Sequence, residues 1–436
     1  MLFTRVLYAE GEPDTYQIPL LVSDSEQTGP TLLLRDAVDD EDFRQALLRI
    51  IDNDASLPVG DHGVLQGRHS NLFASLRGDD PLAAHVSTAE QSNTNILYGG
   101  RMILKLFRRL QPGENPDVEI GRFLTDVAHF QHIPRFLGEI TLSRTGAEPT
   151  SCAMLQELIS NDGDGWQWTL AALAKYFEAA TPDATPYLEA AALLGRRTAE
   201  MHLALATETT DEAFCAEPLT TLAISAETRR IREQVEHALD TLARSIASLS
   251  DNAAGDAATL LSRRERLLAQ ADAILSQPPS GKLIRIHGDY HLGQVLRAKD
   301  DFVLLDFEGE PARTLVERRR KQSPLKDVAG MLRSFSYAAG VELAHHIAVH
   351  PATKPSPTEW QHAVSTSFLS AYHETISVRP DLLPEEPLAT SLLNAYLLEK
   401  ASYELLYELN NRPAWVRVPL AGLLAISEPD GLAGVR

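Results

Sequence analysis

The chain has 436 residues, too many for one ordinary core, so two or three domains are expected. Apolar residues make up 44% of it, enough for a sizeable interior, and a formal net charge of −20 excludes the basic footprint that a nucleic-acid or anionic-membrane surface needs. Cys152 and Cys215 lack metal-like spacing, no apolar run is long enough to span a bilayer, and the start carries no signal-peptide pattern, so a cytoplasmic protein with two reduced thiols is expected.

Residues 1–86 read as a small α/β unit. Strands are expected at Leu2–Ala9, Thr15–Val22 and Thr31–Ala37, with a polar loop between the last two. Acidic residues then lead into a helical spacing of Phe43, Leu47, Leu48 and Ile51. Strands follow at His85–Ser92 and Asn95–Tyr98, joined by the short polar loop Ser92, Asn93 and Thr94. That loop sits where a kinase places its phosphate loop. It has no glycine, and its amides and small polar side chains are expected to cradle phosphates. Gly99 and Gly100 turn the chain into the strand RMILKLF, which carries Lys105. Asn115 and Pro116 open a helix whose first turn holds Glu119, and a strand lysine with a helix glutamate is the ion pair that holds ATP phosphates in kinases.

Two more strands, Phe136–Ser143 and Thr150–Leu158, end in a glycine-rich polar linker at 160–165. This is read as a hinge, with the backbone of Gln156, Glu157 and Leu158 against an adenine edge. From Trp166 onward helices dominate: 167–180, 186–205 with a packing histidine at His202, 220–249, 256–277, 328–339, 358–374 and 388–410.

Within this helical part lies the run LIRIHGDYHLGQVL, then FVLLDFEGE. Two apolar β-rich stretches, Leu283–Ile286 and Phe302–Leu305, are expected to pair and deliver His287, Asp289, Gln294, Asp306 and Glu308 to one cleft. The spacing H-x-D-x-x-x-x-Q followed by D-F is close to the protein-kinase pattern H-R-D-x-x-x-x-N followed by D-F-G. Phosphoryl transfer needs in-line positioning and cations over the phosphates. Asp306 then serves as the main Mg²⁺ ligand and Gln294 as the second, because hard oxygens suit this ion. Asp289 is expected to orient the acceptor hydroxyl and take its proton, His287 to brace the loop, and Glu308 to add a metal or substrate ligand. A metal hydrolase or oxygenase built on His287, Asp289, His291 and Asp306 is a rival, as is a non-catalytic pseudokinase or binding module. Late in the chain Lys400, Tyr403 and Tyr407 share one helix face, followed by Arg412, and polar aromatic rings beside such cations suit a sugar.

These residues lie in stretches that resemble the bacterial maltokinases, including the maltokinase domain fused to trehalose synthase. The matching stretches are SNTNILYGGRMILKLFRRLQPGENPDVEIGRFL, LGRRTAEMHLAL, IRIHGDYHLGQVL, LLDFEGEPARTLVERRRKQSPLKDVAGMLRSFSYAA and KASYELLYELNNRPAW, spread over residues 88–420. The resemblance implies an α+β, bilobal protein-kinase-like fold of the aminoglycoside-phosphotransferase type. Its parts would be an N-terminal α/β cap (1–86), a β-rich N-lobe (87–160) and a mainly α-helical C-lobe (161–436). It implies ATP- and Mg²⁺-dependent transfer to the anomeric hydroxyl of maltose, giving maltose 1-phosphate for α-glucan synthesis. It also implies Asp289 as catalytic acid–base, Gln294 and Asp306 as metal ligands, Lys105 on the phosphates, Lys400, Tyr403 and Tyr407 as maltose contacts, and trehalose synthase as a partner or fusion. The family's first strand and helix, with an R-W-F-x-x-K-like motif, have no counterpart here, which implies either a longer parent chain or a reduced cap. Related proteins of this fold phosphorylate glucosamine or aminoglycosides, and a strongly acidic acceptor pocket would favour those amino sugars.

Overall fold

The computed structural model describes residues 1–9, 11, 13–25, 31–60, 63–87, 93–350 and 356–428. The chain forms two compact units, one of residues 1–160 with 311–319, the other of 161–310 with 320–436.

The first unit is built on a seven-stranded antiparallel sheet. Its strand order is Ser56–Val59, Gly63–His69, Phe136–Arg144, Thr150–Glu157, Met102–Leu106, Thr94–Tyr98 and Ala84–Val86. Alternation within these strands sends Ile96, Leu104, Leu137 and Leu155 into one core, where the helix Glu41–Asp52 adds Leu47, Leu48 and Ile51. Asp40 caps that helix by accepting from the Phe43 amide at 3.0 Å. The sheet crosses the expected boundary at 86, because strand 63–69 pairs with 136–144 and strand 84–86 with 94–98, while 56–59 adds to 63–69 at the edge. The first residues form a separate small sheet, Leu2–Val6 against Asp14–Ile18 and then Arg109–Leu110.

The second unit is helical. Helices Thr185–Leu205 and Thr358–Ile376 pack closely at Gly195, where an added Cβ would lie 2.1 Å from the Phe368 carbonyl oxygen. Tyr187, Phe335, Trp360 and Phe368 fill the space beside them with tilted and edge-on rings. Two helices replace the single one expected at 256–277, Asp251–Ser262 and Arg264–Asp272. The helix expected at 328–339 runs from Leu325 to Val349, and the last long helix is Leu388–Asn411.

The hairpin also differs from expectation. Its strands are Val295–Ala298 and Asp301–Leu304, closed by a turn with Lys299 at φ 57°. Leu283 pairs instead with Glu217, and residues 285–291 form an irregular loop that ends in a 3₁₀ turn, Leu292–Gln294. The tight turn at 299–300 pairs the nearest apolar runs, leaving Leu283 and Ile284 to pair with Glu217 and Gln322. Among the described residues no helix is long and apolar enough to cross a membrane.

Candidate active site

The loop from His287 to Gln294 is held from behind by one buried carboxylate. Asp327, in the first turn of the 325–349 helix, accepts from the His287 amide at 2.8 Å and the Gly288 amide at 2.9 Å. The same carboxylate meets His202 Nε2 at 3.1 Å, and His202 Nδ1 meets the Tyr372 hydroxyl at 3.0 Å. Asp327 is 1% exposed. Burial alone would raise its carboxyl, but the His202 contact, His287 and the loop amides outweigh burial and hold it below the ordinary range. The helix can approach the loop because position 330 is glycine: an added Cβ there would lie 2.5 Å from the Tyr290 carbonyl oxygen.

On this support the His287 ring reaches the Leu305 carbonyl at 2.8 Å, tying the loop to the strand that leads to Asp306. Asp306 adopts a left-handed φ of 65°. Gln294 Nε2 donates to Asp306 Oδ2 at 3.2 Å, and a carboxylate oxygen of Glu308 lies within 4.8 Å of one from Asp306. Two carboxylates, Asp306 and Glu308, are thus gathered in one place, and the Gln294 side chain beside them would turn its carbonyl oxygen to an ion by an amide flip, a set that fits Mg²⁺.

Asp289 faces the helix 388–411. Lys400 Nζ donates to its Oδ1 at 2.8 Å, and His291 Nε2 stands 3.9 Å from its Oδ2. Burial opposes the Asp289 charge, yet Lys400 first and His291 next hold its carboxyl below the ordinary range. Burial pushes the His291 imidazole down to about 4, so it is neutral near pH 7. Around this pair lies a cavity of about 550 Å³ lined by Trp166, Tyr337, Tyr403, Glu404, Tyr407, Glu408, Arg412 and Trp415 as well. Lys400 sits over the Tyr403 ring at 5.1 Å and Arg412 over the Tyr407 ring at 5.2 Å. Arg333 binds Glu404 at 2.6 Å; Arg412 Nη2 and the Tyr337 hydroxyl each bind Glu408 Oε1 at 2.5 Å.

Glu404, Glu408 and Asp327 escaped sequence reasoning. Glu404 and Glu408 continue the Lys400 face at i+4 and i+8, a signal that was available. Asp327 offered only an acidic first turn, which reads as ordinary helix-end chemistry.

In the first unit Lys105 is 9% exposed and donates to Asp117 Oδ2 at 2.6 Å. The expected partner, Glu119, accepts instead from Arg319 through Nη2 at 2.7 Å and Nε at 3.1 Å. The reason is angular, since positions 117 and 119 point to different sides of the helix Pro116–Asp126. Ser92 lies outside the described residues. Asn93 sits at a bend, and the Thr94 hydroxyl accepts from Arg108 Nε at 2.7 Å. At the expected hinge the Glu157 amide donates to the Arg135 carbonyl and the Leu158 amide to the Arg101 carbonyl, each at 2.9 Å. The Gln156 backbone is paired within the sheet, so these residues have at most carbonyl oxygens to offer a base.

The profile of the APH phosphotransferase enzyme family matches residues 89–360. The chain belongs to this phosphotransferase family. A glucosamine kinase of Streptacidiphilus jiangxiensis is 30% identical over 375 residues, covering 81% of this chain and 79% of the relative. A glucosamine kinase of Mycolicibacterium smegmatis (strain ATCC 700084 / mc(2)155) is 27% identical over 352 residues, with 80% of each chain covered. A solved glucosamine kinase in complex with glucosamine, ADP and inorganic phosphate aligns with a TM-score of 0.68 at 25% identity, over 97% of this chain and 92% of the other. The fold is therefore kinase-like, with a β-sheet N-lobe and a helical C-lobe, and the protein is similar to sugar phosphotransferases. These relatives are named for glucosamine rather than maltose. They lend no support to the expected maltose specificity or to a trehalose synthase partner.

Proposed function

We propose that this phosphotransferase is an ATP- and Mg²⁺-dependent kinase of an amino sugar, with glucosamine as the leading acceptor. The observation that carries the reading is the set of three carboxylates at the acceptor cavity. Asp289, Glu404 and Glu408 line it against the cations Lys400 and Arg412, with tyrosine rings between them. Each carboxylate has a cation partner, Asp289 with Lys400, Glu404 with Arg333 and Glu408 with Arg412; a protonated sugar amine would be held by sharing or replacing one of these cations, and the rings give the sugar an apolar platform. The names of the relatives support the same acceptor.

In this mechanism a bond forms between the acceptor hydroxyl oxygen and the γ-phosphorus while the bond from that phosphorus to the β–γ bridging oxygen breaks. Asp289 orients the hydroxyl and takes its proton late. Lys400 keeps that carboxylate ionised. His287 holds the loop in place through the Leu305 carbonyl. Asp306, Gln294 and Glu308 would hold the Mg²⁺ that neutralises phosphate charge, and Lys105 would contact the phosphates. Asn93 and Thr94 would border the phosphates, with the backbone carbonyls of 156–158 toward the base.

A maltose-directed reading keeps one observation of its own. Tyr407 and Trp415 are 45% and 38% exposed at the same cavity, and exposed rings suit a neutral second sugar. Nucleotide consumption measured with glucosamine, maltose and glucose, with and without a chelator, separates the readings. Turnover of glucosamine that stops on chelation is expected; turnover of maltose but not glucosamine would overturn the proposal.

A further inference from the structure

We infer that Asp117, rather than Glu119, is the carboxylate that positions Lys105 for nucleotide, and that Glu119 and Arg319 form a brace holding the helix that carries Asp117. The inference rests on the ATP-dependent reading above.

Lys105 and Asp117 are 9% and 2% exposed and meet at 2.6 Å. Asp117 is set in place by its own surroundings. Pro116 starts the helix, and the Asn115 side chain accepts from the Asp117 amide at 2.8 Å. A carboxylate in this first turn is favoured by the helix dipole, and its short side chain leaves little freedom to lose on pairing. Glu119, two positions on, lies about 200° further around the helix. It cannot share the direction of Asp117, and its two oxygens meet the planar fork of Arg319 in bidentate geometry.

Arg319 belongs to the segment 311–319, which follows the Asp306–Glu308 motif and is fastened along its length. Thr314 and Glu317 form a capping box, Leu315 is buried, and Arg318 bonds the Gln111 side chain. The brace therefore joins this segment to the start of the helix. Glu119 and Arg319 are positioning residues that act on the lysine through Asp117.

The test measures binding of ADP with Mg²⁺ by calorimetry, together with KM for ATP, on Lys105→Met, Asp117→Asn, Glu119→Gln, Arg319→Gln and the exchange Glu119→Arg/Arg319→Glu. Asp117→Asn should weaken nucleotide binding as much as Lys105→Met, by about tenfold, the loss of one charge-assisted contact. Glu119→Gln and Arg319→Gln should each weaken it by a smaller and equal factor, and the exchange should recover most of that loss. Glu119→Gln matching Lys105→Met while Asp117→Asn binds normally would overturn the inference. So would an exchange protein that binds no better than the Glu119→Gln and Arg319→Gln variants, or that does not fold while both of them do. Normal binding by Lys105→Met would instead remove the nucleotide role of Lys105, and with it the reading on which the inference stands.

Discussion

Lys400 and Asp289 lie 111 positions apart in sequence and meet at 2.8 Å. The lysine comes from the face of a long helix, the aspartate from a loop seated on another helix. Their pairing keeps a partly buried carboxylate charged beside the proposed acceptor cavity, against the cost of removing that charge from water.

Lys400→Met removes the cation that lowers the Asp289 pKa and leaves burial to raise it. A group with a depressed pKa stays ionised down to low pH, so its release moves the acidic limb of kcat/KM toward neutral pH. Each unit of that movement lowers the ionised fraction on the acid side about tenfold. The pH profile of kcat/KM checks this, with a larger loss at pH 6 than at pH 8 expected. An equal loss at both would show that Lys400 acts by contact with substrate and not through Asp289.

Asp289→Asn should lower kcat by about two to four orders of magnitude, the range of a positioned acid–base group, while ADP still binds in the presence of Mg²⁺. Rapid-quench turnover and calorimetry on one preparation make the comparison. Turnover near the parent rate would move the acceptor-side role to another group.

Asp327→Asn tests the support of the loop. Two backbone amides and His202 depend on this carboxylate. Its loss should cost about 2–4 kcal/mol of stability near pH 7, as for breaking a buried charged contact. The sign with pH follows from its depressed pKa. The stabilisation is present above the unfolded carboxylate value, about 3.9, and is lost as pH falls below it. Thermal melts from pH 7 down to pH 3 should therefore converge for parent and variant. Curves that stay parallel would show that the carboxylate's charge is not what stabilises the loop.

Glu404→Gln should raise KM for glucosamine about tenfold, near 1.4 kcal/mol, and leave KM for glucose within about twofold. Steady-state kinetics with both sugars decide the point; equal effects on the two would assign Glu404 to holding Arg333 alone.

Gly330→Val places side-chain atoms where the Tyr290 carbonyl oxygen lies, since even a Cβ would approach it to 2.5 Å. The loop must shift, at a cost of about 1–3 kcal/mol, and turnover should fall by more than nucleotide binding does. Parental kcat in a folded variant would show that the loop tolerates the shift.

The sequence alone was enough to reach a two-lobed, kinase-like phosphotransferase. Lys105, Asp289, Gln294 and Asp306 stand at spacings that local structure imposes. A strand lysine, a loop aspartate and a second aspartate after a short strand keep their order whatever packs around them. The long helices were legible because their apolar faces repeat over many turns. What the sequence left open depended on partners distant along the chain. Whether Lys105 meets Asp117 or Glu119 depends on how a helix is rotated against a strand. The role of Asp327 depends on Gly330 letting the helix close on the loop. The three carboxylates of the proposed acceptor cavity meet because Glu404 and Glu408 turn inward beside Asp289. Spacing along a chain fixes which residues share an element, and only tertiary packing decides which element faces it. The phosphotransferase chemistry was therefore written locally, whereas the proposed preference for an amino sugar rests on contacts that exist only once the helices are packed.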